Sequence, residues 1–239
     1  AELQLASFRK NDAEIESALA AVVNAAPNDL EAASRLAAVY QQRRHYAGAV
    51  KVLRGMVKLD SRNPALWNQI VYAEAFGGNR PGAMEALGEY RKLSPADPNV
   101  DDTAGDALFF FGEFAKAAES YEKAHSVNPR WQGGFALFKA AWARMHAGEL
   151  EAADTRMDQY LGLLREANKQ LAELRAAQWQ FLRGRRAEAR SSLTAILGQG
   201  SLASAYRGLV ASQLYLWDIA EGRLAQLEAE FRSHTPRYG

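Results

Sequence analysis

The hydrophobic residues of this chain follow a pattern that recurs every 34 residues. Beginning at a turn glycine, the pattern has an aromatic residue, a small residue, several large apolar residues and then proline. Its three regular copies are Gly112, Phe114, Ala117, Tyr121, Ala124, Val127 and Pro129; Gly78, Arg80, Ala83, Leu87, Tyr90, Leu93 and Pro95; and Arg44, Tyr46, Ala49, Leu53, Met56, Leu59 and Ser61. Apolar positions three and four apart predict helices, and a fixed long period indicates a repeat protein.

The C-terminal half keeps the pattern less strictly. The matching residues there are Gly148, Leu150, Ala153, Met157 and Tyr160, then Gly184, Ala189, Leu193 and Ile196, then Ala220, Leu224 and Leu227. The first of these copies follows a two-residue insertion near "NPRWQGGF", which predicts the weakest joint of the chain there. At the other end, "NDAEIESALAAVVNAAP" reads as the second helix of a pair, and residues 2–10 as only part of its first helix.

The helix before each turn carries its own bulky and small residues, as in "RLAAVYQQ" and "WNQIVYAE". With the turn, alanine and proline positions, these segments make the chain resemble the tetratricopeptide repeat (TPR) family over nearly its whole length. The resemblance implies an all-α fold, a right-handed superhelical solenoid of antiparallel helix pairs. Helix A of each pair would line a concave groove. Arg80 at the turn aromatic and Ser61 at the proline depart from the family pattern.

The repeats divide the chain into four expected regions. Residues 1–29 form a truncated N-terminal repeat that is mainly helix B, 30–131 three regular repeats, 132–234 degenerate repeats, and 235–239 a tail. Because the chain starts with Ala1, we expect a processed or trimmed piece, and the compartment, cytoplasmic or periplasmic, stays open.

Small residues and turn residues make the physical expectation specific. The alanines should let helix B approach helix A closely, at Ala49, Ala83, Ala117, Ala153 and Ala189. Helix A should end in turns near Arg44, Gly78, Gly112, Gly148 and Gly184, because glycine tolerates the positive φ of such turns. One pair cannot bury its own apolar faces, so each is expected to pack mainly on its neighbours.

The resemblance also implies which residues line the groove, namely positions 2, 5, 9, 12 and 13 of each helix A. In the five copies these are Glu31, Ser34, Ala38, Gln41 and Gln42; Ala65, Asn68, Tyr72, Ala75 and Phe76; Asn99, Asp102, Asp106, Phe109 and Phe110; Phe135, Phe138, Trp142, Met145 and His146; and Leu171, Leu174, Gln178, Phe181 and Leu182. The binding candidates among them are Asn68, Tyr72, Phe76, Asp106, Phe109, Phe110, Phe135, Phe138, Trp142, Met145 and Phe181.

Most of these candidates are aromatic, and two interpretations follow. Several half-exposed rings would form an apolar patch of several hundred Å², above what monomers usually expose. Such a groove would bind an apolar or amphipathic segment, its own chain, or a second copy. In the other interpretation, tight packing of successive helices A buries the rings. Binding of a C-terminal carboxylate by groove lysines is not expected, since positions 5 and 9 hold no lysine and Asp102 and Asp106 would repel it.

Composition excludes several kinds of chemistry. The 29 basic and 28 acidic residues give a net charge of +1, so nothing favours nucleic acid or an anionic membrane. There is no cysteine, the four histidines fall in different copies without metal-ligand spacing, and no apolar run is long enough for membrane insertion. One basic cluster, a possible docking patch for an acidic partner, consists of Arg183, Arg185, Arg186 and Arg190.

These patterns favour a non-catalytic protein-interaction scaffold with a protein or peptide partner and no cofactor. An alternative is the TPR segment of a larger bacterial cell-envelope export or assembly protein, for example in polysaccharide secretion. A further alternative is self-association through the groove, giving a homodimer. An enzyme is not expected, because no nucleophile, acid–base pair or cofactor motif assembles in the sequence.

Overall fold

The computed structural model describes residues 12–199 and 203–233, and all regular structure in these ranges is helical. The α-helices are α1 Asp12–Ala25, α2 Leu30–Gln42, α3 Tyr46–Leu59, α4 Pro64–Phe76, α5 Arg80–Leu93, α6 Pro98–Phe110, α7 Phe114–Val127, α8 Phe135–His146, α9 Leu150–Ala167, α10 Lys169–Leu182, α11 Arg186–Leu197, α12 Ser204–Ala220 and α13 Leu224–Ser233. Even-numbered helices are the expected helices A, and odd-numbered ones the helices B. The predicted all-α fold of sequence-adjacent helix pairs is confirmed.

The chain forms two compact units that divide between Asp154 and Thr155, within α9. In the first unit, successive helices from α1 to α8 pack on one another, and the helices A α4 and α6 also touch. In the second unit, α10, α11 and α12 pack in the same way. The grouping of repeats into three regular and several degenerate copies stays a prediction.

Short polar side chains start three of the helices A. Asp29, Asn63 and Asp97 each accept a hydrogen bond from a backbone N–H in the first turn, at 2.9, 3.1 and 2.9 Å. Pro64 and Pro98 occupy the first helical position, where no N–H is needed. These caps satisfy donors that a helix start would otherwise leave unpaired.

Left-handed turn residues end the helices A where the sequence predicts. Gly78, Gly112, Gly148 and Gly184 have φ between 76° and 82°. Arg44 holds the same place in the first regular copy with φ 59°, although it carries a side chain. The predicted turns are therefore confirmed.

The predicted contact alanines form the tightest part of the core. All five, Ala49, Ala83, Ala117, Ala153 and Ala189, are 0% exposed. One cluster of buried apolar side chains runs through α2 to α6, and a second, around Tyr121, joins α7 to α8. A third fills the second unit, between α10, α11 and α12.

The segment predicted as the weakest joint is irregular, but it is not where the chain divides: α7 and α8 pack on each other across it, and the two compact units separate between Asp154 and Thr155. A 3₁₀ turn, Trp131–Gly134, stands between α7 and α8, and Gln132 and Gly133 there have φ 48° and 65°. This segment holds the two extra residues of the insertion, so that α8 regains the repeat frame. The partial helix expected at residues 2–10 and the tail expected at 235–239 lie outside the described residues.

Candidate functional site: an aromatic face beside a buried charge cluster

Helix α6 places several polar side chains inside the protein. Asp102 and Thr103 are buried, and Asp106, one turn further on, is half-buried. Residues four apart lie on one side of a helix, so the carboxylates of Asp102 and Asp106 share a side of α6. A buried carboxylate costs free energy unless it is paired and hydrogen-bonded. Both therefore need partners on neighbouring helices.

Asp106 receives hydrogen bonds from three other helices. The Tyr72 hydroxyl, on α4, donates to Oδ2 at 2.8 Å, and the Tyr121 hydroxyl, on α7, donates to Oδ1 at 2.8 Å. Lys139 Nζ, on α8, donates to Asp106 Oδ1 and Oδ2 at 2.9 and 3.0 Å, and to Asp102 Oδ2 at 2.7 Å. These five residues form what we call the Asp106 cluster. It fixes α4, α6, α7 and α8 relative to one another.

A missing side chain on α6 lets Tyr121 reach Asp106. A Cβ atom on Gly105 would lie less than 3.0 Å from three atoms of the Tyr121 ring. The ring is 3% exposed and cannot move aside without losing its bond to Asp106. Glycine at position 105 is therefore required by a close approach rather than by its backbone angles.

The Asp106 cluster contains two carboxylates and one ammonium, so its formal charge is −2 + 1 = −1. Burial opposes the charge of Lys139, but the carboxylates of Asp106 and Asp102 outweigh it and raise the pKa of Lys139. Burial raises the pKa of Asp102, and its bond to Lys139 opposes that rise. Burial, reinforced by the charge of Asp106, raises the pKa values of the Tyr72 and Tyr121 phenols. Both hydroxyls therefore remain donors at neutral pH.

Eight of the predicted groove residues belong to the helices of this cluster, and we call this set the aromatic face. Its members are the rings of Tyr72, Phe76, Phe109, Phe110, Phe135, Phe138 and Trp142, with the side chain of Met145. Phe76 contacts Tyr72 and meets Phe110 edge-on, with ring centroids 6.0 and 4.8 Å apart. Phe76 and Phe110 remain 41% and 57% exposed. These two rings are ordered against each other and still present their faces to solvent.

A second row of rings runs along α8. Phe135 stacks on Phe138 at 5.0 Å, and Phe138 lies 6.2 Å from Trp142. Phe135 is 37% exposed, whereas Phe138, Trp142 and Met145 are half-buried. The two interpretations of the aromatic positions therefore each describe part of the face.

Phe109 connects α6 to the end of α8. Its ring meets His146 at 5.3 Å and Phe114 at 5.0 Å. Phe114, the turn aromatic of its repeat, is half-buried and contacts both Phe109 and His146. Between α6, α7 and α8 an open pocket of about 270 Å³, which we call the aromatic pocket, is lined by Phe109, Tyr121, Phe138, Lys139 and Trp142.

Two of the predicted groove residues, Asn68 and Phe181, belong neither to the Asp106 cluster nor to the aromatic face. The Asn68 amide donates a 2.8 Å hydrogen bond to the buried Thr103 hydroxyl, which places Asn68 in the contact between α4 and α6. Phe181 belongs to the second unit, where its ring stacks on Trp217 with centroids 4.2 Å apart and Arg186 covers it at 5.3 Å. Phe181 is thus half-buried by its own neighbours.

The four arginines of the predicted basic patch have different environments. Arg185 and Arg186 are exposed and Arg183 is half-buried. Arg190 forms ion pairs of 2.8 Å with the buried Asp218 and with Glu221. A docking role for this patch stays a prediction, and Arg190 already serves the packing of α11 on α12.

Two residues of the site were not predicted from the helix A positions. Lys139 directly follows Phe138, one position outside the predicted stripe, and Tyr121 belongs to a helix B. The sequence signal for such a partner is the pair of carboxylates Asp102 and Asp106. They lie four residues apart on a helix A whose stripe contains no cation, so a basic side chain from another position has to pair with them. Within the described ranges no group of three or more His, Asp or Glu side chains could hold a metal ion. The same residues include no helix that is long and apolar enough to span a membrane.

Helix pairs of this length, joined by left-handed turns and packed through buried alanines, give the chain a helical repeat fold like that of TPR proteins. No family model and no curated protein matches the chain. Solved structures of TPR proteins do match it. A structure of MamA is 21% identical, with TM-score 0.56, over 70% of this chain and 91% of its own.

Two longer proteins also match. Yeast Tom70 is 17% identical with TM-score 0.58, and human IFIT1, as a dimer with m7Gppp-AAAA, is 14% identical with TM-score 0.54. They match 92% and 90% of this chain, which spans 44% and 51% of their structures. At these identities the similarity establishes the fold.

Proposed function

We propose that this protein is a non-catalytic scaffold that binds an apolar or amphipathic segment of a protein partner on the aromatic face. A scaffold role in general agrees with the similar structures, which are scaffold or binding proteins. The bound segment and the aromatic face as its binding site are our proposal, and they rest on this chain's own residues.

The exposure of Phe110 beside Phe76 supports the proposal most strongly. Each exposed ring leaves apolar area in water, at about 25 cal/mol per Å². The two rings contact each other, and Phe76 also contacts Tyr72, although the apolar rings would gain free energy by burial. Phe135 adds a third exposed ring on α8. A partner that covers these rings gains this free energy without having to order them first.

A pair of matched variants tests the proposal. Phe110→Ala with Phe135→Ala removes two exposed rings and should leave the fold intact. Leu59→Ala with Val127→Ala removes two apolar side chains of similar exposure, 49% and 44%, from helices B. Proteins captured from the source cells by the immobilised wild type would be purified, and their Kd measured against all three forms. Because interfaces concentrate binding energy in a few aromatic side chains, we expect more than tenfold weaker binding for the aromatic variant alone.

The controls decide how the result is interpreted. Circular dichroism and thermal unfolding of each variant exclude loss of fold. The combined variant Phe138→Ala and Trp142→Ala, whose rings are half-buried, should weaken binding further and lower the melting temperature. Equal binding by the wild type and both aromatic variants would refute a role for the aromatic face.

A second candidate function is self-association, and it is favoured by α12. Leu209 and Leu216, seven residues apart, are 53% and 58% exposed, and Ile219 is 50% exposed. Among the similar structures, human IFIT1 is described as a dimer, and a form of it with two leucine-to-glutamate changes as monomeric. The alternative of a segment of a larger bacterial cell-envelope export or assembly protein stays a prediction.

A further inference from the structure

The helix A stripe of the first unit is acidic. Its twenty predicted positions, in α2, α4, α6 and α8, include Glu31, Asp102 and Asp106 but no lysine and no arginine. The chain as a whole has a net charge of +1, so the stripe differs from the average of the molecule. A charged surface attracts ligands of opposite charge and repels those of the same sign.

The lysine that reaches this stripe does not make it basic. Lys139 Nζ is hydrogen-bonded to three carboxylate oxygens, two of Asp106 and one of Asp102, and its side chain is 21% exposed. It also lies over the Tyr121 ring, 5.3 Å from the centroid. The ammonium group of Lys139 is thus engaged by both carboxylates of the cluster and is paired with them rather than offered to a partner's carboxylate.

One negative charge remains without compensation inside the cluster. The Asp102 side chain is 6% exposed, and its Oδ1 accepts no hydrogen bond from the described residues. Asp106 retains 26% exposure and is the carboxylate that solvent or a partner can approach. Because a buried carboxylate without full compensation is unfavourable, a cation placed above Asp106 would be stabilised by the field of both carboxylates.

The aromatic pocket beside these carboxylates suits a different group. Its rings, Phe109, Tyr121, Phe138 and Trp142, surround about 270 Å³, which is smaller than most small-molecule sites. A single bulky apolar side chain fits such a volume. The pocket and the carboxylates share Lys139, so one short segment can reach both.

We propose that the segment bound by the aromatic face carries a bulky apolar residue for the aromatic pocket and, within a few residues, a lysine or arginine that faces Asp106 and Asp102. This inference rests on the proposed function and specifies the chemistry of the partner. An acidic segment, or one that ends in a carboxylate at this point, is disfavoured by the same charges.

A displayed library of random 12-residue peptides, selected on the full-length protein, tests the inference. We expect enrichment of a large apolar residue with lysine or arginine within about three positions. For a selected synthetic peptide, replacing the basic residue by glutamine should weaken binding at least fivefold to the wild type. The same replacement should have less than a twofold effect on Asp102→Asn, provided that circular dichroism shows a retained fold.

A variant that is expected to bind more tightly separates the electrostatic effect from any loss of stability, because a destabilised protein would bind more weakly. Lys139→Gln changes the formal charge of the cluster from −1 to −2, so it should bind the basic peptide more tightly than the wild type, and the effect should shrink at high salt. Weaker binding of the basic peptide by this variant would contradict the inference.

The outcomes separate the inference from the function on which it rests. Selected peptides that are neutral or acidic, and that lose binding with Phe138→Ala and Trp142→Ala, would overturn the basic partner and leave the aromatic face as the site. Peptides indifferent to that aromatic variant, or a selection without enrichment, would overturn both.

Discussion

Phe109, Phe110 and Phe111 are consecutive in the chain and have three different environments. Phe109 meets His146 at the end of α8, while Phe111, the residue directly after α6, packs against the core cluster of α2 to α6. Phe110 lies between them in sequence and is 57% exposed. Successive helical residues are about 100° apart, so three in a row cannot share one buried side. Phe110 is thus the one of the three rings that remains exposed.

Gly105 allows a stability prediction at a single residue. In Gly105→Ala the new methyl group would overlap the Tyr121 ring, which is held by its hydrogen bond to Asp106. We expect a loss of about 1–3 kcal/mol in the free energy of unfolding, measured by denaturant titration, as for other overpacked cores.

The matched control is Gly88→Ala. Gly88 is also inside a helix, but a methyl group there would meet no atom within 4 Å. Replacing a helical glycine by alanine in open space should stabilise the protein by roughly 0.5–1 kcal/mol. Opposite signs for the two variants support the close approach of Tyr121, and a stabilising Gly105→Ala would contradict it.

The repeat pattern of the sequence predicts the site residues that occupy the same position in every helix A. It does not predict the site residues that lie at other positions. The exposed Phe110 and half-buried Trp142 follow from the stripe, because every helix A uses the same positions. Lys139 and Tyr121 belong to the site only because Gly105 is small and Asp106 accepts bonds from two sides. Such pairings depend on three-dimensional proximity between unlike residues, which a repeat frame does not contain. Phe181 shows the same limit, since its stacking on Trp217 requires α12.

Turns between helix A and helix B form one element that recurs with a single exception. Glycine occupies the left-handed position at Gly78, Gly112, Gly148 and Gly184, and Arg44 occupies it in the first regular copy. A side chain in this conformation is strained by contact between its Cβ and the backbone, by about 1–2 kcal/mol. The first regular repeat therefore carries a local strain that the later ones lack.

Arg44→Gly should relieve this strain. Part of the gain is offset because glycine is more flexible in the unfolded chain, so we expect a net stabilisation of roughly 0.5–1 kcal/mol relative to Arg44→Ala. Arg44→Ala is the proper reference, since it removes the side chain and keeps the Cβ. Thermal and urea unfolding of both variants would measure the difference, and equal stabilities would mean that the strain is no larger than the entropic cost of glycine.

At the scale of the whole molecule, α12 presents an apolar stripe. Leu209, Leu216 and Ile219 lie on this helix and are 53%, 58% and 50% exposed. Exposed apolar stripes of this kind are common at interfaces between copies.

We therefore expect self-association that depends on α12. Light scattering coupled to gel filtration should give a mass above 26.3 kDa for the wild type, falling toward that value for Leu209→Glu with Leu216→Glu. Leu59→Glu, an exposed position on α3, is the control and should keep the wild-type mass. A monomeric wild type at tens of micromolar, or an equal change in the control, would refute this interface.

The Asp106 cluster also limits how freely the repeats of this protein can be rearranged. Tyr72 and Lys139 bond to Asp106 from the preceding and the following repeat, 34 and 33 residues away along the chain. The positions equivalent to Asp106 in those neighbours are Tyr72 and Trp142, and neither side chain is a carboxylate. Exchanging this repeat for a neighbouring copy would remove both Asp102 and Asp106, and so leave Lys139 without either counter-ion and Tyr72 without its carboxylate acceptor. A designed chimera therefore has to transfer α4 to α8 together, because the polar contacts of the Asp106 cluster connect α4, α6, α7 and α8.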